Sequence, residues 1–526
     1  MRLLLRIQPQ SYDWALSHIE KYGDTDIFPI PFEFSAIRAY WEEDLKPHLS
    51  RQNVLEWELR SYRRLLTPKH RYGFRISTQL DPLDSITFTA LMYEIGRDIE
   101  SFRIPKEQNI AFSNRFHPDM DGRMYDPNYN WQIFQNYCGD QIDSGVFNYV
   151  VIADIADFFP RIYSHPLEQA LGQALPAKGN HIRALRRCLS QMNGSVSYGI
   201  PVGQAASRLL AELILDDVDR GLMGEGLVHC RFVDDFRIFC ETEKDALVAL
   251  GTLANLLFEN HGLTLQQHKT RVMTVEDFQN RILGNEEDRE IAGLKEQLNE
   301  ILSYVDISNP YDDFNFLELD DEQQEELKRL NLEGILEEHL EKVDDIDISL
   351  VRFLLKRLTQ IGSPASVECL IRNINKLYPV VKEVMVYLQT IAIDVETKHR
   401  IGTQLLNLCT DSIVGHLEYN RIWILNTFTS NNEWNNEDRF NRLYTELSDQ
   451  YSQRELILAM GRAGLNHWFR PRRRNVSELT PWLKRAFLAA SSCLPGDQAQ
   501  HWYRSLPQLD ILEIVITKWA TTNRFS

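Results

Sequence analysis

The feature that most constrains this chain of 526 residues is a nine-residue stretch, Arg231-Phe232-Val233-Asp234-Asp235-Phe236-Arg237-Ile238-Phe239, in which two short apolar runs meet at adjacent aspartates. Apolar runs on either side of a tight polar turn predict a β-hairpin, and the turn then presses two carboxylates into one small space. Such a pair repels itself unless divalent metal neutralises it. Aspartate is also a favoured turn residue, so a solvated hairpin tip is the other reading of the same residues.

Upstream, Tyr149-Val150-Val151-Ile152-Ala153-Asp154 is a near-continuous apolar strand that ends in an aspartate and runs into a helix start at Ile155-Ala156-Asp157-Phe158-Phe159. Two strands thus deliver three carboxylates to one end of a sheet. That set suits two-metal phosphoryl transfer, in which two oxygen-liganded Mg²⁺ ions about 3.5 to 4 Å apart stabilise the attacking and leaving oxygens. Asp154 and Asp234 are the expected bridging ligands, with Asp235 adjacent and less direct. A helix N-cap is the alternative role for Asp154.

The order of motifs over residues 60 to 285 resembles the reverse transcriptases. Asp154-Ile155-Ala156-Asp157-Phe158-Phe159 is similar to their first palm motif, and Phe232-Val233-Asp234-Asp235 to their aromatic-x-Asp-Asp hairpin, with Phe for the usual Tyr. Between these, Gly199-Ile200-Pro201-Val202-Gly203-Gln204-Ala205-Ala206-Ser207 resembles the segment that lines the nucleotide and template site. Downstream, Gly262-Leu263-Thr264-Leu265-Gln266-Gln267-His268-Lys269-Thr270 resembles the next motif, and Ile282-Leu283-Gly284 the primer-grip hairpin. The resemblance implies a right-hand fingers and palm fold of α+β class and a nucleotidyltransferase that uses deoxynucleoside triphosphates with Mg²⁺ or Mn²⁺. It implies Asp154, Ile155, Asp234 and Asp235 as the metal set, Lys269 at the pyrophosphate, and Asp157, Phe159, Gly203 and Gln204 at the nucleotide.

Local chemistry bears on several of these positions. A bulky ring at Phe159, where the family places its steric gate, leaves no room for a 2′-hydroxyl and favours deoxynucleotides; an ordinary core phenylalanine is the other reading. Gly199 and Gly203 suit close backbone approach to a base pair, or simply turns. Ser207 opens the periodic run Leu209-Leu210-Leu213-Ile214, a helix under the site, and Leu250, Leu253, Leu256 and Leu257 mark another before Lys269. Lys69-His70-Arg71-Tyr72-Gly73-Phe74-Arg75-Ile76 resembles the fingers hairpin that grips the triphosphate, with Lys69 and Arg75 at the basic positions. Arg115, in Ile110-Ala111-Phe112-Ser113-Asn114-Arg115-Phe116, is a candidate for template or primer contact, or for bracing the fold.

Departures from the family pattern are equally specific. Val202-Gly203 stands where Gln-Gly is usual and Ser207-Arg208 where Ser-Pro is usual, which weighs against conventional templated copying. No short helical thumb follows Gly284. Instead residues 286–347 hold 22 Asp and Glu against five Lys and Arg, a net of −17 out of −18 for the whole chain. The polymerase-like part is therefore not acidic, and bulk charge does not exclude a nucleic-acid partner. Residues 286–346 read as a solvated helical connector, with shielding or steering of nucleic acid as the functional alternative.

From residue 347 the pattern becomes paired amphipathic helices, among them Ile348-Leu350-Val351-Phe353-Leu354-Leu358 and, later, Trp482-Leu483-Phe487-Leu488. No strict period is visible, and an α-helical repeat of HEAT type over 347–526 is the expected architecture. A reverse transcriptase domain of residues 1–285 joined to such a tail resembles the bacterial abortive-infection enzymes of the AbiK type. That resemblance implies antiphage defence, DNA synthesis without template or nucleic-acid primer, single-stranded product attached to a tyrosine, and homo-oligomers. A tyrosine hydroxyl can replace a primer 3′-hydroxyl as nucleophile. Twenty tyrosines are available and the sequence selects none; Tyr40 is a candidate only if it lies near the palm.

The tail carries one conspicuous basic group, Arg470-Pro471-Arg472-Arg473-Arg474 after His467-Trp468-Phe469. Arginines beside aromatics suit single-stranded nucleic acid through phosphate pairing and base stacking. Seven scattered cysteines without a Cys-x-x-Cys pair indicate neither zinc nor a disulfide framework. Met1-Arg2-Leu3-Leu4-Leu5-Arg6-Ile7 is too short an apolar run for a signal peptide, and no segment approaches 18 apolar residues, so a cytoplasmic protein without membrane contact is expected. Two other functions stay open: templated reverse transcription of a bound noncoding RNA, with a phage component as a further partner, and a helical-repeat sensor or scaffold with secondary polymerase activity.

Overall fold

Among the described residues six strands form two sheets: β1 (Arg63–His70) with β2 (Gly73–Gln79), and a four-stranded sheet of β3 (Tyr149–Asp154), β4 (Val228–Phe232), β5 (Asp235–Cys240) and β6 (Arg271–Thr274) in the order β4-β5-β3-β6. The computed structural model describes residues 3–194, 196–283, 330–434 and 436–524. Gly284 of the expected primer grip and residues 286–329 of the acidic tract lie outside them.

Central β3 pairs antiparallel with both β5 and β6, and its Val150, Val151, Ile152 and Ala153 are all buried. A strand covered on both faces must read as a continuous apolar run, which is why it lacks alternation. On one face, Val150, Ile152, Cys230, Phe239 and Met273 form a core with Phe134, Cys138 and Ile142 of helix α1 (Trp131–Asp143). Helix α2 (Ser207–Gly224) packs on β4, and helix α3 (Glu243–His261) on β3, β5 and β6. With helices holding both sides, the sheet is fixed where β3 and β5 present their aspartates. This is a mixed α+β palm.

The chain divides into two compact units, one of residues 1–34, 41–64 and 77–285 and one of residues 35–40, 65–76 and 286–526. The tip of the β1–β2 hairpin, placed with the palm from sequence, therefore clusters with the second unit. There the Arg71 guanidinium donates to the Asp344 carbonyl at 2.6 Å and lies 3.8 Å from the Asp345 carboxylate. The end of the acidic tract is what holds this basic turn. Tyr40 also belongs to the second unit, with Lys518 Nζ 5.7 Å from its ring centre.

Beyond the hairpin the second unit is helical in its described residues. Helices α4 (Ile348–Ile361), α5 (Val381–Thr390), α6 (Glu418–Ser430), α7 (Gln450–Arg462), α8 (Pro481–Ala490) and α9 (Ile511–Thr522) pack each on the next in a row. Asp347, Asp449 and Asp510 cap the N-termini of α4, α7 and α9 by accepting backbone N–H groups, which sets where these helices start. No described helix is long and apolar enough to cross a membrane.

Candidate active site

Three of the sequence motifs meet at the end of β3. Asp154 and Asp235 face each other as register partners on β3 and β5, and Phe232 pairs with Asp235 across the hairpin. The Ile155 N–H donates to the Asp234 carbonyl at 3.2 Å, which ties the aspartate turn to the residue after Asp154. On the other side, Gln266 N–H donates to the Asp154 carbonyl at 2.7 Å and Ala156 N–H to the Thr264 carbonyl at 2.9 Å. The backbone of Asp154 is thus clamped between two motifs distant in sequence.

The hairpin turn is strained. Val233 has φ +56°, and among the described residues it is the one β-branched residue at positive φ; the other non-glycine cases are Asn, Asp or Gln. Positive φ at the first central residue alone is the II′ pattern, where glycine is usual, and a valine there costs on the order of 1–3 kcal/mol. Contacts offset that cost: Val233 N–H donates to Ser113 Oγ at 2.7 Å, and the Val233 carbonyl accepts from Arg231 Nη1 at 3.1 Å. Each is worth roughly 0.5–1.5 kcal/mol, more where a charge takes part.

Both contacts are anchored in a buried charge cluster beneath the turn. Arg231, 1% exposed, lies between Glu212 (2.7 Å) and Asp219 (2.8 Å) of α2. Arg103 Nη2 adds a second cation to Glu212 at 2.9 Å, Ser113 Oγ donates to Glu212 at 2.5 Å, and His229 Nε2 lies 3.3 Å from Asp219. Burial would raise the Asp219 carboxyl, but Arg231 and His229 outweigh it and bring its pKa down to about 2. Glu212 is likewise lowered, by Arg231 and Arg103 against its own burial. Burial would lower Arg231, and the two carboxylates raise it instead.

At the strand ends Asp154 meets an accessible cation and Asp235 a buried one. Asp154 Oδ2 accepts from Lys269 Nζ, with the lysine side chain 53% exposed. Asp235 accepts from both Arg237 nitrogens, and Arg237 is packed near the Phe134 and Phe278 rings. Among the described residues no group of three or more Asp, Glu, His or Cys is placed to hold a metal ion. The donors still suit a hard divalent cation, since all are oxygen and two adjoining strand ends supply them. Ile155 can contribute only its main-chain carbonyl. An exposed pair such as Asp154–Lys269 is worth about 0–1 kcal/mol, little enough for a divalent ion to displace the lysine.

Residues 140–317 match the protein family described as "Reverse transcriptase (RNA-dependent DNA polymerase)". The chain carries a reverse transcriptase domain. Such a domain is a nucleotidyltransferase of DNA polymerase type. No curated protein matches the chain. Among solved structures, truncated apo telomerase of Candida tropicalis is 14% identical over 41% of this chain and 50% of that one, with TM-score 0.30. Telomerase of Candida albicans with a TWJ fragment of telomeric RNA is 13% identical over 78% of this chain and 70% of that one, with TM-score 0.33. Intact apo telomerase of Candida tropicalis is 11% identical over 81% and 73%, with TM-score 0.32. Likeness this low adds nothing finer than the domain match.

Within the reverse transcriptase domain, Phe159 is half-buried, edge-on to Phe158, and its carbonyl accepts from Ile200 N–H at 3.1 Å, which ties its main chain to the Gly199–Pro201 segment. Asp157 is exposed, with φ +47°. Gly203 has φ +114°, and a Cβ there would meet Ile27 Cδ1 at 3.1 Å and the Thr78 carbonyl at 3.4 Å. A side chain there would be strained by the positive φ, with the Ile27 side chain crowding it further. Gln204 is corrected as a nucleotide ligand: it is 2% exposed and its Oε1 accepts from Ser85 Oγ. Arg115 is corrected as a template contact. At 2% exposure it donates to the Ala111 and Ile104 carbonyls, each at 3.0 Å, and pairs with Glu100, so it braces the fold.

Lys69 and Arg75 are exposed on the hairpin tip, which belongs to the other compact unit from Asp154. Arg470, Arg473 and Arg474 line one cleft, whereas Arg472 lies over the Trp468 ring at 4.2 Å and donates to its carbonyl at 3.0 Å. Sequence reasoning missed Arg103, Ser113, Glu212 and Asp219. A signal was present: Glu212, Asp216 and Asp219 fall at i, i+4 and i+7 in the otherwise leucine-rich α2, an acidic stripe on a face that should be buried.

Proposed function

We propose that this chain adds deoxynucleotides to a growing DNA strand by two-metal phosphoryl transfer at Asp154 and Asp234, with Asp235 held by Arg237 in a positioning role. The observation that carries it is the register pairing of Asp154 with Asp235, with the Asp234 carbonyl tied to Ile155. Asp154, Asp234 and the Ile155 carbonyl would hold Mg²⁺ or Mn²⁺, which when bound supplies Lewis-acid stabilisation of the phosphoryl oxygens. Lys269, released from Asp154, is a half-exposed cation suited to the leaving pyrophosphate. The Phe159 ring is the group assigned to exclude the 2′-hydroxyl of a ribonucleotide, on its position in the motif.

The layout of a reverse transcriptase domain before a row of packed helices supports a finer reading: a HEAT-like tail, antiphage defence of the abortive-infection type, and protein-primed, template-independent synthesis. Sequence resemblance alone carries those points, along with homo-oligomers and a cytoplasmic site of action. Templated copying of a bound RNA is the second reading, favoured by the RNA-dependent description of the matched family. Nuclease-treated protein is incubated with Mg²⁺ and labelled deoxynucleotides, without primer or template, and resolved before and after protease. Label held on protein, released as DNA by protease and lost in Asp154→Ala and Asp234→Ala, is expected. Synthesis that returns only with added RNA would favour the second reading, and incorporation that survives either substitution would sink the two-metal assignment.

A further inference from the structure

The second unit contains a cleft of about 1040 Å³ whose lining has a composition unlike an ordinary surface hollow. Arg470, Arg473 and Arg474 enter it from one side, and His501 and Trp502 of the helix Gly496–Ser505 from the other. Pro471 and the tight 3₁₀ turn Arg473–Glu478 end the preceding helix, so the run of arginines is split: Arg472 is taken by Trp468 while its neighbours line the cleft.

Charge is the first argument. Among the described residues Arg470, Arg473 and Arg474 have no carboxylate partner, and Asp497 is the one acidic side chain in the lining. Three guanidinium groups sharing one hollow repel each other unless an anion joins them, and their planar forks match phosphate oxygens. The second argument is the ring. Trp502 is half-buried, its indole set against Phe487 (6.0 Å) and Tyr503 (5.1 Å), so the core fixes it while it still lines the cleft. A fixed indole beside arginines is a stacking surface for an unpaired base. Size is the third, since the volume reaches the top of the roughly 300–1,000 Å³ range of small-molecule pockets. A strand fills such a space better than one nucleotide.

We propose that this cleft binds single-stranded nucleic acid, with phosphates on Arg470, Arg473 and Arg474 and a base on Trp502. The site owes nothing to the catalytic carboxylates and goes beyond the polymerase reading.

Fluorescence anisotropy of the full chain with labelled oligo(dT) and oligo(rU) of about 20 nucleotides, long enough for a site of this class, tests it over a series of salt concentrations. The combined change Arg470→Gln, Arg473→Gln and Arg474→Gln should weaken binding at least about tenfold and lower the salt slope by about 2, three phosphate contacts at roughly 0.7 each. Trp502→Leu, which keeps an apolar side chain at the helix, should weaken binding about tenfold with the slope unchanged, within the range of lost base stacking. Losses on DNA alone or RNA alone identify the strand the cleft holds, and both support the site. Wild-type affinity in the arginine variant overturns the proposal, a loss in that variant without one in Trp502→Leu overturns the stacked base, and equal competition by duplex overturns the single-strand assignment. Asp154→Ala, expected to bind like wild type while incorporating nothing, separates this outcome from failure of the catalytic reading.

Discussion

Two sets of ion pairs lie one above the other in the palm, and they differ in the property that decides their use. Arg231, Glu212, Asp219 and Arg103 are at most 3% exposed and satisfy one another, whereas Asp154 pairs with a lysine that is half in solvent. The chemistry is the same, carboxylate with cation. Burial makes the first set unable to exchange partners, because each charge left alone would keep a desolvation cost of several kcal/mol. Exposure leaves the second set replaceable at nearly no cost. A rigid charged base under a labile charged rim is what a metal-dependent site needs, since the rim must admit an ion without the turn moving.

The sharpest way to break this comparison is to remove one charge from each layer. Arg231→Met leaves Glu212 and Asp219 buried with only Arg103 and His229 beside them, and should cost about 3–5 kcal/mol of stability. Asp154→Ala removes a carboxylate whose partner is half in solvent, and should cost no more than about 1 kcal/mol of stability while abolishing incorporation. Denaturant unfolding and incorporation assays on both proteins read the two effects. Equal losses of stability would erase the distinction between base and rim.

Acid offers a graded version of the same test. Asp219 is depressed from 3.8 to about 2, so its contribution is fully present above the unfolded pKa and is lost as pH falls from about 4 towards 2. At 1.36 kcal/mol per pKa unit this amounts to about 2 kcal/mol. The difference in unfolding free energy between wild type and Asp219→Asn should therefore be largest near neutral pH and shrink below about pH 4. A difference that stays constant down to pH 2 would mean the cluster holds Asp219 by packing alone.

How far the sequence reveals this arrangement depends on the range of the interaction. The β3 run, the aspartate hairpin and the helices beginning near Ser207 and around Leu250–Leu257 rest on local periodicity, and each stands where those residues predict. Asp154 and Asp235 stand opposite each other and Lys269 reaches Asp154, because neighbouring strands end at one edge of the sheet. What periodicity hides is the partner of a buried charge. Arg115 and Gln204 read as contacts for nucleic acid and nucleotide because nothing near them in sequence shows Glu100 or Ser85. The Arg470–Arg474 run reads as one group, and only the proline and the 3₁₀ turn after it separate Arg472 from the rest. The hairpin tip reads as part of the fingers, and its Arg71 contacts with Asp344 and Asp345 span some 270 residues.

The smallest expected effect concerns the turn that joins the two layers. Val233 at φ +56° occupies a conformation that glycine adopts without strain, so Val233→Gly should relieve on the order of 1 kcal/mol in the folded state. Glycine also loses more entropy on folding, by roughly 0.5–1 kcal/mol, so net stability should change by less than about 1 kcal/mol. The Ser113 Oγ and Arg231 contacts go to the main chain of Val233 and survive the change, so the geometry of Asp234 and Asp235 should survive too. If a fixed turn is what the buried base provides, Val233→Gly keeps nearly full incorporation, whereas Ser113→Ala, which removes one hydrogen bond from the strained residue and another from Glu212, reduces it. Full activity in Ser113→Ala would show that the rim holds its carboxylates in place without the base.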